Sequence, residues 1–375
     1  MSMEKINSTL LQQLTQIRNQ PCISLYMPTH RVHPESATDP ILFKNLVKKI
    51  QLYITENKLT DYMSLLEPFE KLQNDYDFWN NNDCGLAIFS AKNETHIIRL
   101  PERVEEITCV ANSFCVKPLF KFHAENKEYY LLALGQDDVR LYTGDKYHLE
   151  KLNIQGNVPT SMTEALGSEL TDNHVHSTSA PTSHVHGYME KSQEEDIDIE
   201  RFFRSVDQAL NSHFDFSHDK PLILAALAEH HTEFKAISKN QHLHEHHITI
   251  NAEALNIKEL LTKVKKVIET EHTENIRKLL DRQQIAAQQK LSSHEIRDVA
   301  YDVMDGKVEI LFLENGRNLS GEIDLENRKV HLNENKDTDI LNELAYLVFE
   351  RGGQIILLDK DDMPYDTGAF TINRF

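Results

Sequence analysis

Cysteine is scarce in these 375 residues: only Cys22, Cys84, Cys109 and Cys115, with no CxxC pair among them. That leaves neither a zinc ribbon nor a disulfide framework, and in apolar surroundings the four read as reduced core thiols. Long apolar runs are missing too. None approaches the roughly 20 residues that cross a bilayer, and the start MSMEKINSTLLQQL has no basic segment followed by an apolar one, so a cytoplasmic protein with no membrane partner is expected. Basic residues are in deficit, 40 Lys and Arg against 59 Asp and Glu, a net charge of -19. Such a surface cannot wrap DNA, and any RNA contact has to be local. There is no HExxH, no Gly-rich phosphate loop and no Ser-His-Asp arrangement, so no catalytic residue, bound metal or cofactor is expected.

What the chain does have is histidine, 20 in all. The stretch Leu170 to Glu195, LTDNHVHSTSAPTSHVHGYMEKSQEE, holds two His-x-His pairs, His174 with His176 and His184 with His186, set in Ser, Thr, Asn and Pro. That composition favours solvated loop, and a loop of this length inside a domain usually has a function or is disordered. In extended backbone, histidines two apart point to the same side. The pairs could therefore contact RNA phosphate or close a four-nitrogen metal site, the latter being the basis of an alternative reading as a metal-dependent hydrolase or nuclease. A second group, His230, His231, His242, His244, His246 and His247, surrounds a buried strand at Pro221 to Leu227.

Around this loop, strands and helices alternate as in an α/β (α+β) protein of three domains. Residues 1–117 read as an N-terminal α/β domain with strands at Cys22 to Met27, Gly85 to Phe89 and Thr95 to Arg99, a helix from Asp61 to Tyr76, and a linker near Ser113 to Pro118. Residues 118–250 read as a middle domain opening on a hairpin, Tyr129 to Leu134 and Val139 to Thr143, turned by Gly135-Gln136-Asp137-Asp138. Residues 251–375 read as a long helix, Ala252 to about Lys290, followed by a compact α/β domain. This helix is the least acidic part of the chain, with Lys263, Lys265, Lys266, Arg277 and Lys278 among eight cations against six acids. Mixed charge runs usually make a solvated face; a phosphate-contacting face is the sharper alternative.

Several blocks carry a resemblance: Tyr26-Met27-Pro28-Thr29-His30, Asp77-Phe78-Trp79, Phe114-x-Val116-Lys117-Pro118-Leu119, Pro159-Thr160-Ser161-x-x-Glu164-Ala165-Leu166, Gly306-Lys307-Val308, Met363-Pro364 and the closing Ala369 to Arg374. In this order they resemble family three of the bacterial archaeo-eukaryotic release factors, relatives of class-one release factors and Pelota. The resemblance implies an RNase H-like middle domain and a ribosomal-protein-like, Pelota-like C-terminal domain. It further implies a factor of the ribosomal A site in rescue, stress or hibernation, with rRNA as partner and tRNA and a translational GTPase as possible ones. On that reading His174, His176, His184, His186, Lys263, Lys265, Lys266, Arg277 and Lys278 are the candidate RNA-binding residues. The release motif is absent from the middle region, where the His-rich stretch stands instead; β-branched Val185 resists the left-handed backbone that glycine permits, so peptidyl-tRNA hydrolysis is not expected. Gly352-Gly353-Gln354 spells that motif in the wrong domain and reads as a helix C-terminal cap, and Asn256-Ile257-Lys258 mimics a stop-codon motif inside the long helix.

Overall fold

Both sides of the strand around Cys22 to Met27 are apolar, so it has to lie between two cores. The computed structural model describes residues 6–80, 82–125, 127–167, 186–217, 220–332 and 338–375, the side chains of 186–195 excepted. The chain has the mixed α/β class expected and forms two compact units, one of residues 1–125 with 278–375 and one of 126–277. The segments expected as separate N- and C-terminal domains thus share a unit.

In the first unit α1 (Ser8–Gln16) starts under the Asn7 cap, whose side chain accepts from the Leu10 N–H at 2.8 Å. Then come β1 (Arg18–Pro28), α2 (Asp39–Glu56), α3 (Glu67–Gln73), α4 (Tyr76–Trp79), β2 (Gly85–Ala91), β3 (Glu94–Leu100), β4 (Ile107–Ser113) and α5 (Lys117–Glu125). The strands form an antiparallel sheet in the order β3-β2-β1-β4. Ile23, Leu25, Met27, Leu86 and Ile88 face a core with Phe43, Val47, Phe69 and Trp79; Cys22, Tyr26, Ala87 and Phe89 face the other. The helix expected over Asp61 to Tyr76 is instead a 3₁₀ segment, Thr60–Leu66, followed by α3. Pro68, in the first turn of α3, lacks the N–H that a continuous helix needs there.

The second unit holds β5 (Tyr129–Leu134), β6 (Val139–Gly144), β7 (Leu149–Lys151), α6 (Met162–Leu166), α7 (His186–His213), β8 (Leu222–Ala226), α8 (Ala228–Ile237) and β9 (Ile248–Thr249). Its sheet runs β7-β6-β5-β8-β9: the β5–β6 hairpin is antiparallel, whereas β5, β8 and β9 are mutually parallel. Leu132 and Leu224 pack under Phe202, Phe203 and Phe234, while Leu131 and Ile223 face Leu260 and Val264. The latter pair belongs to α9 (Ile257–Gln288), the expected long helix, along which the chain leaves this unit.

The first unit is completed by α10 (Ile296–Met304), β10 (Val308–Glu314), β11 (Gly321–Asp324), β12 (Lys329–Leu332), α11 (Ile340–Glu350), β13 (Gln354–Leu358) and β14 (Ala369–Asn373). Strands β13-β10-β14 form a sheet, and β11-β12 pair separately. One core cluster joins Leu11, Leu14, Tyr26 and Phe89 to Val299, Leu311, Leu344 and Ala345.

The stretch expected as a linker near Ser113 to Pro118 lies inside that core: Phe114 and Val116 are fully buried and Lys117 is 3% exposed. Asn342 Oδ1 accepts from the Val116 and Lys117 N–H groups at 2.9 and 3.0 Å, and its Nδ2 donates to the Phe114 carbonyl at 2.9 Å. Lys117 Nζ meets Asp339 Oδ2 at 2.6 Å and also donates to the Arg317 carbonyl. A polar segment is thus buried because its groups have partners, from the C-terminal part of the chain and, at Cys115, from Ser24 and Tyr26 of β1. Asp339→Ala should cost about 3–5 kcal/mol in denaturant unfolding, since it strands the Lys117 ammonium. The double variant Lys117→Met with Asp339→Ala should recover part of that. A loss below about 1 kcal/mol for the single variant would mean that the pair acts like a surface ion pair.

Candidate nucleic-acid interface

Helix α9 begins with a reciprocal cap: Asn256 Oδ1 accepts from the Glu259 N–H at 3.1 Å, and Glu259 Oε2 accepts from the Asn256 N–H at 3.0 Å. Asn256-Ile257-Lys258 is therefore a helix start, not a codon-reading tip. Leu260 and Val264 are buried, with Val267 and Ile268 packed beside them. Lys263 and Lys266 are exposed, as are Arg277 and Lys278 further along the helix. Lys265 differs: it is half-buried, 3.9 Å from Glu269 and 5.8 Å from the centre of the Tyr147 ring.

The acids of the helix are largely occupied. Glu271 lies 3.6 Å from His244 Nε2 and Glu274 lies 3.4 Å from His246 Nε2, while Glu259 closes the cap. Lys263, Lys266, Arg277 and Lys278 make no ion pair among the described residues, so their cationic groups are exposed without a carboxylate partner. Composition gives the number of charges on the helix, but not which of them are already paired.

His174, His176 and His184 fall outside the described residues. His186 is the first residue of α7, with its side chain outside the description. The second histidine group is put to packing. His242 stacks on Phe216 at 5.3 Å, His230 meets the Phe203 ring edge-on at 5.4 Å, and His231 stacks on His247 at 3.5 Å between ring centres. Among the described residues no three His, Cys, Asp or Glu side chains gather as a metal site would need.

A cavity of about 640 Å³ by α7, not foreseen from the sequence, brings Arg204, Lys239 and His242 together with the amides of Gln208, Asn211 and Gln241 and the rings of Phe214 and Phe216. Asp207 in its wall is satisfied by Ser238 Oγ at 2.6 Å, the Lys239 N–H at 3.0 Å and Asn211 Nδ2 at 3.1 Å. Cations, amides and stacked rings are what a single-stranded nucleotide can use. The sequence signal is faint: aromatics at 214 and 216 and a Lys-Asn-Gln-His run at 239–242.

Residues 128–307 match the model of the bacterial archaeo-eukaryotic release factor family 3. The match covers 180 of the 375 residues. No curated protein matches it. Among solved structures it is similar to an archaeal translation termination factor, aRF1, at 16% identity and a TM-score of 0.25, with 99% of each chain covered. It is also similar to Archaeoglobus fulgidus Pelota at 12% identity and a TM-score of 0.35, covering 100% of this chain and 94% of that one. A third similarity is to the archaeal Pelota in a ribosome-bound model with ABCE1, at 10% identity and a TM-score of 0.37, covering 100% and 95%.

The tripeptide that spells the release motif of such factors is here a joint between α11 and β13. Gly352 takes φ +68°, and the N–H of Gly353 donates to the Val348 carbonyl at 2.9 Å, as in a helix C-terminal cap. The positive φ is at Gly352, while Gly353 is needed for space: a methyl on it would sit 2.5 Å from Val348 Cγ1. Gly353→Ala should cost about 1–3 kcal/mol by overpacking while leaving any RNA affinity of the folded protein unchanged, as read by chemical unfolding beside a binding assay. A folded variant that loses RNA affinity would return the tripeptide to the functional surface.

His231 gives a pH prediction. Burial first, then neighbouring His247 and Lys235, lowers its pKa from the usual value near 6.5. A lowered folded pKa favours the neutral ring, so stability is fullest above pH of about 6.5 and falls as acid protonates the unfolded chain first. His231→Phe should flatten the loss of stability between about pH 7.5 and 5.5 in thermal or urea unfolding; an unchanged slope would locate the acid sensitivity elsewhere.

Proposed function

We propose that this protein is a ribosome-associated translation factor that binds the A site in rescue, stress or hibernation and does not hydrolyse peptidyl-tRNA. The observation that carries this reading is the family match over residues 128–307, which takes in nearly all of the second unit and all of α9. The mixed five-stranded sheet of that unit, a hairpin with parallel strands added beside β5, supports an RNase H-like middle domain. The division 1–117, 118–250 and 251–375, with a Pelota-like last part, is proposed at the level of the sequence alone, as is a translational GTPase partner.

Binding is the chemistry the residues favour. Lys263, Lys266, Arg277 and Lys278 are exposed and unpaired among the described residues, and the cavity beside Lys239 and His242 offers stacking and amide contacts. The histidines at 174, 176, 184 and 186 are proposed as further RNA contacts. Since an acidic protein must hold RNA through few cations, its affinity should depend steeply on salt. Lys263→Glu with Lys266→Glu should release the protein from ribosomes in sucrose gradients at moderate salt. It should also reduce the slope of log affinity against log salt by roughly one for each phosphate no longer neutralised. Lys265→Glu should act less, because its ammonium already faces Glu269 and Tyr147. Co-sedimentation unchanged in the double variant would remove α9 from the interface. Absence of the wild type from ribosomes in both growing and starved cells would remove the function itself.

A further inference from the structure

In an open sheet, ligands bind outside the carboxyl ends of parallel strands. Here β5, β8 and β9 are parallel and end at Leu134, Ala226 and Thr249, so the segments that follow them open on one side of the second unit. A cavity of about 310 Å³ lies there, walled by apolar Leu134, Ile199, Leu227 and Ala252. Among the described residues its polar lining is Asp196, Glu229, His230, Glu233, Asn251 and Glu253, besides Gln136, and it includes neither lysine nor arginine.

Asp196, Glu229 and Glu253 are exposed at the rim, whereas Glu233 is half-buried, where an unpaired charge is costly. Glu233 Oε2 is buried with no hydrogen-bond partner among the described residues. His230, which lines the same space, is 5% exposed; its Nε2 lies 4.0 Å from Glu229, and its Nδ1 is buried and likewise without a partner among them. Glu253 is held over the β5–β6 turn: the Asp137 N–H donates to its Oε1 at 3.4 Å, and a methyl group on Gly135 would fall on its carboxylate. Burial raises the pKa of Glu233, with Asp196, Glu229 and Glu200 adding to the rise and His230 opposing it, which is what an absent counter-charge would produce.

The form of the missing cation follows from the spacing. Among the described residues no three of these groups converge as a metal ion requires, although four carboxylates and an imidazole line one cavity with apolar walls between them. Several separated positive charges joined by methylenes answer both features, and the volume is at the small end of the range of about 300–1,000 Å³ for ligand sites. We propose that this cavity binds a free aliphatic polyamine, its ammonium groups donating to Glu229, Glu233 and Glu253, beside the buried, unpartnered Nδ1 of His230. The assignment is independent of ribosome binding and holds whether or not the protein acts in translation.

Isothermal titration calorimetry of the full chain with spermidine tests it, with magnesium in the buffer to occupy the general acidic surface. A single saturable site is expected, weakened about tenfold or more by Glu233→Gln and by Glu253→Gln. Gly135→Ala should weaken it as well, since it displaces Glu253 without altering net charge. Exposed Glu326→Gln, with the same charge change as the first two, should leave binding unchanged. Thermal melts confirm that each variant is folded; should either Gln variant unfold, Gly135→Ala against Glu326→Gln decides. Equal affinity in all variants, or no saturable binding, would overturn the proposal. So would stoichiometric Mn²⁺ binding that spermidine cannot displace, which would make the cavity a metal site.

Discussion

The buried ammonium of Lys117 holds the larger unit in its present form. A lysine that is 3% exposed persists only where acceptors surround it, and these come from Arg317, Asn318 and Asp339, some two hundred residues further along the chain. Asp339 has three duties: it pairs with the lysine, caps α11 through the Leu341 N–H at 3.1 Å and accepts the Leu319 N–H at 3.0 Å. One turn into α11, Asn342 binds the backbone on either side of Cys115, and Tyr346 donates to the Phe114 carbonyl at 2.7 Å. Tyr26 of β1 donates to the Cys115 carbonyl at 2.6 Å from the other direction. The N-terminal sheet and α11 are therefore registered against each other by directional bonds, which apolar packing alone would not specify.

Helix α9 applies the same logic at the surface. Glu259 closes its cap and Glu271 and Glu274 meet histidines, whereas five of its cations, Lys258 included, have no ion pair among the described residues. Seven cations against five acids make this helix slightly positive on a chain of net charge -19. Local charge matters here more than the total, because screening cuts off surface interactions beyond roughly 8–10 Å at ordinary salt.

How much of this is legible in the sequence depends on how local each signal is. The hairpin at Tyr129 to Thr143, the apolar strand at Leu222 and the long helix are visible because period and turn chemistry act over a few residues. The buried segment Phe114 to Lys117 reads wrongly as a linker, since Ser113 and Pro118 are turn-forming and the partners that make burial tolerable lie at 317–346. Strand β4 escapes notice for a related reason: Ile107–Ser113 is only half-buried along most of its length and mixes Thr, Cys, Asn and Ser with its apolar residues, which blurs alternation. Of the candidate contacts, exposure of the α9 lysines follows from helical spacing. The exception at Lys265 needs Tyr147, which no local pattern supplies. The acidic cavity is invisible for the same reason, its groups being scattered over α7, α8 and the turns after β5 and β9.

In Gly352-Gly353 the freedom of glycine is spent on ending α11: one residue takes the left-handed turn, and the other lies against Val348 with no room for a methyl. Backbone used in this way is not available to approach a substrate ester. Where the family's order places the release loop, the sequence has histidine, serine and threonine around Val185, rich in polar contacts and poor in the conformations only glycine adopts. A scaffold keeps its binding surfaces when a catalytic loop changes, because fold and site are set by different residues. On the proposed function the chemistry to test is recognition: phosphates met by the lysines of α9 that have no ion pair among the described residues and, in the cavity at the end of the β5–β8–β9 strands, a cation met by carboxylates.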